Sequence, residues 1–207
     1  MAARVDRQSR RGDGEAKSAS RRGDIIEAAV NVFAERGYVG ASVREIAERL
    51  GISKGNLTYY FAVKDDLLFE IVTDLHDSFL QLAASWSMPP GTSARDVLHN
   101  ALRAHVLLVT ERLHQTRVSY EAFRYLTDNR RATIIDKRDR YEAALRVLID
   151  QCRRDLTGAD DSCAAVQART VLGMLNWPYQ WYSTHGSVDP EQLADIVTEM
   201  ALRSLQL

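Results

Sequence analysis

The spacing of apolar residues is the feature that most constrains this fold. From about residue 21 onward, apolar side chains recur every three or four positions, and no useful stretch alternates apolar with polar residues as a half-buried strand does. Only four prolines interrupt the 207 residues. A period near 3.6 places each apolar stripe on one face of a helix, and that face needs other helices to cover it. The sequence therefore predicts an all-α fold of about nine helices.

Capping and turn residues separate the first three of these helices. The first is expected over about 21–36, where Gly37 ends it with a left-handed backbone. The segment Ser42–Glu45, which reads SVRE, fits the capping box that opens a helix. Gly51 stops this second helix, and Ser53 caps a short third one.

The second and third helices have the spacing of a helix-turn-helix. Ala47 and Gly51 stand four residues apart. The small side chain lets two helices approach closely, and the glycine tolerates the positive φ of a tight turn. The apolar positions around them are filled by Ile46, Leu50, Ile52 and Leu57. In a helix-turn-helix the second helix enters the DNA major groove. An ordinary helical hairpin is the alternative, but the capping signals and the basic bias of this region favour DNA binding.

The charge of the chain is distributed unevenly. Residues 1–65 carry 12 lysines and arginines against 9 aspartates and glutamates, whereas residues 66–207 carry 15 against 19. A basic N-terminal third suits a polyanionic partner, although so small an excess is weak evidence alone. Residues 1–20 show no apolar period, hold five of these cations and are predicted to be a disordered basic arm. The arm is either a solvated tail or a segment that touches the DNA backbone or minor groove.

Motifs of catalytic and metal sites are missing from the sequence, and no cofactor is expected. Cys152 and Cys163 form no CxxC motif and are predicted to be thiols rather than a disulfide. None of the five histidines forms an HxxxH or HxxH pair, and GxSxG, P-loop and dinucleotide fingerprints do not occur. The absence of these motifs does not exclude an all-helical enzyme that uses scattered carboxylates. No apolar run approaches the roughly 18 residues of a membrane span, so no membrane partner is expected. The N-terminus lacks the apolar stretch of a signal peptide, so a cytoplasmic location is expected.

A resemblance to a known family rests on the stretch from about 22 to 72. It contains FAERGY, SVREIA and GISKGNLTYYF in that order, and it resembles the N-terminal domain of the TetR/AcrR (Tet repressor) family of bacterial regulators. The resemblance covers roughly a quarter of the chain. It implies an all-helical homodimer that binds DNA through a small domain, here 21–65, followed by a larger effector-binding and dimerisation domain, here 66–207.

The third helix is expected to divide its side chains between the core and DNA. Leu57 and Phe61 share one face at i and i+4 and are expected to point inward. Thr58 stands where the family often has tyrosine, and Tyr60 stands where it often has histidine, so the resemblance does not supply the operator sequence. The resemblance also implies a phosphate contact at the start of the fourth helix. The predicted DNA contacts are Ser42, Arg44, Lys54, Asn56, Thr58, Tyr59, Tyr60 and Lys64.

The last two helices are the predicted dimer interface, because members of the family pair there in a four-helix bundle. Their apolar stripes agree with this role, and burial within the same domain is the alternative reading. A two-fold dimer would match a palindromic operator. The predicted interface residues are Leu172, Leu175, Leu193, Ile196, Val197 and Met200.

An effector pocket is expected between the middle helices, where polar groups fall on apolar faces. The segment 176–182 is the densest in aromatic residues, and Pro178 is expected to kink it. With the following STHG it resembles the WY-x-x-x-G element of regulators that sense acyl-CoA thioesters; plain packing of aromatics is the alternative. The predicted pocket residues are His105, Val109, Tyr120, Phe123, Arg124, Arg138, Tyr141, Trp177 and Trp181.

These features together predict a DNA-binding transcriptional regulator. It is expected to be a repressor that a small-molecule effector, an acyl-CoA or related hydrophobic carboxylate metabolite, releases from its operator. The alternative is a helical ligand-binding or interaction protein with a vestigial DNA-binding half.

Overall fold

The computed structural model describes the backbone of residues 2–157 and 163–207, and the side chains of these residues apart from 2–17, 19 and 157. Within this part of the chain there are nine helices of at least seven residues, one four-residue helix, one 3-10 turn and no strand. The α-helices are α1 (Ala2–Gly40), α2 (Val43–Arg49), α3 (Lys54–Tyr60), α4 (Lys64–Ala84), α5 (Ala94–Glu111), α6 (Leu113–Glu121), α7 (Asp128–Thr157), α8 (Ala164–Asn176), α9 (Pro178–Trp181) and α10 (Pro190–Ser204). The predicted all-α fold is confirmed.

The first helix is longer than the sequence predicts. It begins at Ala2, whereas the disordered arm was expected to extend to residue 20 and the helix to begin near Arg21. No proline interrupts residues 1–20, and extending an existing helix costs far less free energy than starting a new one. At the other end, Gly37 departs from helical geometry with φ 69° and ψ 160°, close to the position expected for the end of this helix.

The N-terminal core is formed by α1, α2 and α3 together with the first half of α4. Ile25 and Phe33 from α1 pack with Ile46 from α2 and Leu57 from α3. The same cluster takes in residues 67, 68, 71 and 72 of α4 and Ile134 of α7. The predicted boundary at residue 65 therefore lies inside a continuous core, and α4 belongs to both halves of the molecule.

The larger half is built from α5, α7, α8 and α10. Leu98 and Leu102 of α5 pack against Leu193 and Val197 of α10, and Leu145 of α7 lies in the same cluster. At the kink predicted for Pro178 the helix ends and a new one begins, because Pro178 takes the first position of α9 and cannot donate the hydrogen bond that would continue α8.

Charged side chains fasten α4 to α7 along its length. Arg130 of α7 forms ion pairs with Asp65 and Asp66 in the first turn of α4. Two turns further along α7, Lys137 pairs with Asp77. The helix that enters the N-terminal core is thus held by the helix that crosses the larger half.

Candidate functional site

Both α2 and α3 are capped at their N-terminal ends, as the sequence indicates. The hydroxyl of Ser42 accepts a hydrogen bond from the backbone nitrogen of Glu45 at 3.1 Å, and Ser53 accepts one from Asn56 at 3.1 Å. Gly51 has φ 64°, a conformation that favours glycine. The two caps fix where α2 and α3 begin, and the turn at Gly51 joins them as in a helix-turn-helix.

The short helix α3 has one buried face and one open face. Leu57 and Phe61 are buried, whereas the side chain of Tyr59 is 83% exposed. Tyr60 is half-buried against the core and meets the ring of Tyr59 edge to face at 5.3 Å. Thr58, also half-buried, donates its hydroxyl hydrogen to the carbonyl of Gly55 at 3.0 Å. An aromatic ring as open as that of Tyr59 has no role in the core of the chain.

The cations near this face are in different situations. Lys54 and Asn56 are exposed at the start of α3. Arg44 is exposed as well, and its guanidinium is 2.7 Å from Glu48 on the same helix. The family resemblance implies a phosphate contact for Lys64. In the structure its ammonium instead donates to the carbonyls of Tyr38 and Ala41. Those two carbonyls lie at the end of α1, so the nitrogen is already engaged within the protein.

A cavity of about 240 Å³ lies between α4, α5, α6, α7 and α8. Its walls are mainly apolar and aromatic, with a few polar groups among them. The cavity is lined by Leu75, His76, Phe79, His105, Tyr120, Arg138, Tyr141, Glu142, Arg169, Leu172, Gly173 and Asn176. A mostly apolar pocket with a small number of polar groups is typical of a small-molecule site.

Four of the predicted pocket residues line this cavity, namely His105, Tyr120, Arg138 and Tyr141. Val109 is buried and packs in the cluster of Leu75, Phe79 and Tyr141. Phe123 lies behind Arg138, and the centroid of the Phe123 ring is 4.2 Å from the guanidinium carbon of Arg138. Both residues therefore support the lining without belonging to it.

The other three predicted pocket residues lie elsewhere. Trp177 and Trp181 are 59% and 57% exposed, because the turn at Pro178 directs this segment along the surface. Arg124 stacks on the ring of Tyr125 and donates to its hydroxyl at 2.9 Å. Residues that line the cavity but were not predicted include His76, Asn176 and Arg169. His76 directly follows Leu75 in the apolar stripe of α4, which is the one signal that could have identified it.

The polar groups at one side of the cavity form a closed chain of hydrogen bonds. The amide of Asn176 donates to the carbonyl of Leu172 at 2.7 Å, so its oxygen accepts from Nε2 of His105 at 3.3 Å. Nδ1 of the same imidazole then accepts from the hydroxyl of Tyr141 at 2.9 Å. Burial lowers the pKa of His105 to about 4, and burial also raises the pKa of Tyr141. This chain is therefore neutral at pH 7.

The other side of the cavity carries a charge. Nε of Arg138 donates to Nε2 of His76 at 3.2 Å, which places the imidazole proton on Nδ1. Burial and then the charges of Arg138 and Lys137 lower the pKa of His76 to about 3, so this ring is neutral too. Burial also lowers the pKa of Arg138, although an arginine keeps its charge at pH 7.

The predicted dimer residues fall into three groups. Ile196 and Met200 are 53% and 55% exposed on the outer face of α10. Leu175, Leu193 and Val197 are instead buried in the core of their own domain. Leu172 lines the cavity. The outer face of α10 between Asp195 and Arg203 forms a shallow, largely apolar depression.

The described residues contain no group of three or more histidine, cysteine, aspartate or glutamate side chains placed to hold a metal ion. In the same part of the chain, no helix has the length and apolar character that a membrane span needs.

Comparisons with known proteins place these features in context. Residues 25–71 match the profile described as bacterial regulatory proteins, tetR family, and residues 91–205 match the profile described as tetracyclin repressor-like, C-terminal domain. Over 180 residues the chain is 27% identical to the HTH-type transcriptional regulator HbdR of Aromatoleum sp. (strain CIB), covering 86% of this chain and 76% of that protein.

Two solved structures share the fold over nearly their whole length. The TetR family transcriptional regulator PfmR from Thermus thermophilus aligns with a TM-score of 0.78 and 26% identity, over 86% of this chain and 97% of that one. AibR in complex with isovaleryl coenzyme A and operator DNA aligns with a TM-score of 0.73 and 27% identity, over 87% of this chain and 97% of that one.

Proposed function

The chain belongs to the tetR family of bacterial regulatory proteins, and from this premise we propose that it is a repressor whose cavity binds the effector that releases it from its operator. The family predicted from the sequence is confirmed, and with it the role of a DNA-binding transcriptional regulator. The predicted homodimer is consistent with this family. The steps by which this chain's own residues read DNA and sense the effector belong to the proposal.

The observation that carries the proposal is the position of α4. Its first turn lies in the N-terminal core, where Lys64 holds the end of α1. Three turns later the same helix contributes Leu75, His76 and Phe79 to the cavity wall. A ligand that displaces this wall would move the helix-turn-helix with it, provided that it binds one position of α4 more tightly than the other.

DNA reading is assigned to the open face of α3. Tyr59 with Lys54 and Asn56 would meet the major groove, and Ser42 and Arg44 would meet the sugar-phosphate backbone. In a homodimer the two α3 helices would enter successive major grooves about 34 Å apart, which suits a palindromic operator. We therefore propose that the protein acts in the cytoplasm, where the chromosome lies. We propose that it is a regulator and not an enzyme.

The effector is assigned to the class of acyl compounds. AibR, which binds isovaleryl coenzyme A, has the same fold over most of both chains. The cavity of about 240 Å³ is large enough for a short acyl group and has aromatic walls suited to it, but it is smaller than a whole coenzyme. An acyl-CoA would therefore place only its acyl end inside, and a related hydrophobic carboxylate would fit entirely.

A gel-shift titration against the DNA upstream of the protein's own coding region, together with selection from a genomic library, tests the DNA-binding step. We expect a shift that Tyr59→Ala weakens by about tenfold or more, since it removes a contact of about 1–3 kcal/mol, while the melting temperature stays unchanged. Failure to select any operator would contradict the repressor assignment and favour a ligand-binding protein with a vestigial DNA-binding half.

The effector step is tested on the selected operator by adding short acyl-CoA thioesters and their free acids. Release of the DNA by a member of either series supports the proposal. If compounds bind the protein and leave operator affinity unchanged, the coupling through α4 is absent.

A further inference from the structure

Arg138, a charged group in the cavity wall, has no partner of opposite charge among the residues that the structure describes. None of the ion pairs among the described residues involves Arg138. Its Nη2 is shielded from solvent and makes no hydrogen bond within the described chain, and its Nε donates only to the neutral imidazole of His76. The aromatic ring of Phe123 covers the guanidinium from behind.

The remaining polar groups of the cavity are already satisfied. The chain from Tyr141 through His105 to Asn176 ends on a backbone carbonyl. At the rim, Arg169 of α8 pairs with Glu142 of α7 at 2.9 Å. There are two exceptions, because the hydroxyl of Tyr120, beside Arg138, and the Nδ1 hydrogen of His76 make no hydrogen bond with the described residues.

An isolated guanidinium in such a place is costly. Removing a cation from water without a counter-ion is strongly unfavourable, and proteins normally compensate it with a carboxylate, a phosphate or a bound anion. Burial accordingly lowers the pKa of Arg138. No carboxylate of the described chain supplies that compensation, and a ligand anion would.

We propose that Arg138 binds the carboxylate of an organic acid whose apolar body fills the aromatic part of the cavity, so that the effector is a free acid and not a neutral acyl group. This inference rests on the proposed function of the cavity as the effector site. One carboxylate oxygen accepts from the guanidinium of Arg138, which lines the cavity, and the hydroxyl of Tyr120 is the second donor nearby. Leu75, Phe79 and Leu172 enclose the apolar body.

A thioester meets this chemistry less well than an acid. Its carbonyl carries no charge, so it leaves Arg138 uncompensated. The negative charges of coenzyme A lie on its phosphates, and a cavity of about 240 Å³ has no room for the acyl group together with those phosphates. A carboxylate on a guanidinium is in contrast a charge-assisted pair.

The test is calorimetric titration of the full chain with matched compounds: hexanoate, cyclohexanecarboxylate and 3-phenylpropanoate, each with its primary amide and its coenzyme A thioester. The amide has nearly the shape of the acid and lacks the charge. We expect at least one acid to bind about tenfold or more tightly than its amide, which corresponds to the usual strength of a charge-assisted hydrogen bond. Binding by no acid of the panel, or equal binding of acid and amide, would overturn the inference.

Two arginine variants sharpen this result. Arg138→Gln is expected to abolish the preference for acid over amide, whereas Arg169→Gln, which removes a cation from the same cavity rim, is expected to keep it. Arg138→Met is a second variant in case glutamine perturbs the fold. Because it removes an uncompensated cation, its melting temperature without ligand should equal or exceed that of the natural chain. A preference that survives both Arg138 variants would show that the acid binds elsewhere.

Operator release separates this inference from the proposed function. If an acid binds through Arg138 and the protein stays on its operator, the carboxylate site is supported and the effector role of the cavity fails. If a thioester releases the operator while the free acids do not bind, the effector role stands and the carboxylate site is overturned.

Discussion

Lys64 contacts Tyr38 in two ways, through the backbone carbonyl and through the aromatic ring. The ammonium of Lys64 donates a hydrogen bond to the carbonyl oxygen of Tyr38 at 2.7 Å and lies 4.4 Å from the centroid of the ring of the same residue. It also donates to the carbonyl of Ala41 at 3.0 Å. These contacts join the first turn of α4 to the end of α1, so Lys64 acts as a brace between the two helices.

Lys64→Met is expected to lower the free energy of unfolding by about 1–2 kcal/mol, because it removes two hydrogen bonds and a cation–π contact from a half-buried group. The dependence of operator affinity on salt should change little. Lys54→Met is the matched control and should do the reverse, with stability unchanged and the slope of log affinity against log salt reduced by about 1. Urea unfolding and binding titrations measure both. If Lys64→Met reduced the slope of log affinity against log salt and left stability unchanged, Lys64 would be a phosphate contact after all.

Thr58→Tyr is expected to change which operator is preferred more than it changes stability. The hydroxyl of Thr58 is occupied by the carbonyl of Gly55, so its methyl group is what a thymine methyl would meet. Selection from randomised operators should give a different consensus for the variant. Thr58→Val, which keeps a methyl group and loses the hydroxyl, should retain the natural consensus. An unchanged preference for Thr58→Tyr would remove this position from the reading surface.

The outer face of α10 can be tested separately from its core face. Ile196→Glu combined with Met200→Glu should convert a dimer into a folded monomer, because a charge on an exposed apolar face opposes pairing without creating a cavity. Leu193→Ala should lower stability by about 2–5 kcal/mol, as expected for a leucine truncated in a core. Analytical ultracentrifugation and thermal unfolding separate the outcomes. A dimer that withstands both glutamates would place the interface on another face.

The buried histidines predict a loss of stability on mild acidification. The pKa of His105 is about 4 in the folded chain, against 6.5 for an unperturbed histidine. As the pH falls below 6.5, His105 is therefore protonated in the unfolded chain but stays neutral in the folded chain. The stability present above pH 6.5 is lost progressively down to about pH 4, by about 3 kcal/mol for this fully buried ring. His76 contributes in the same direction, with a folded pKa of about 3.

His105→Gln checks this assignment. Glutamine keeps a hydrogen-bonding group beside Tyr141 and Asn176 and removes the titration. The variant is expected to be less stable at pH 7 and to have a shallower loss of stability between pH 6.5 and 4.5, measured by urea unfolding at several pH values. A slope equal to that of the natural chain would mean that His105 is not the group that titrates.

The local features of this fold could be predicted from the sequence. Ser42, Ser53 and Gly51 act on groups within three or four residues of themselves, so their caps and turn are encoded where they occur. The inward face of α3 follows from the spacing of Leu57 and Phe61 for the same reason.

What depends on distant residues could not be predicted. The carbonyls that engage Lys64 lie 26 and 23 residues earlier in the chain. The apolar arc of α10 is broad, and its packing against α5 and α8 decides that Val197 is buried while Ile196 is exposed. Trp177 and Trp181 face solvent because the chain turns at Pro178, and the path after a kink is set by the surrounding helices.

Because α4 belongs to both the N-terminal core and the cavity wall, a tilt of this helix would move residues in both places. From Lys64 to His76 the helix spans 12 residues, a rod of about 18 Å at 1.5 Å per residue. A tilt of about 6° at the His76 end would carry the Lys64 end through about 2 Å by the same geometry. Because each protomer of a symmetric pair would swing in the opposite sense, the separation of the two α3 helices would change by up to about twice that amount. Under the proposed function, small changes in the volume of a ligand near His76 would become larger displacements of α3, and residues that stiffen the middle of α4 would determine how large these displacements are.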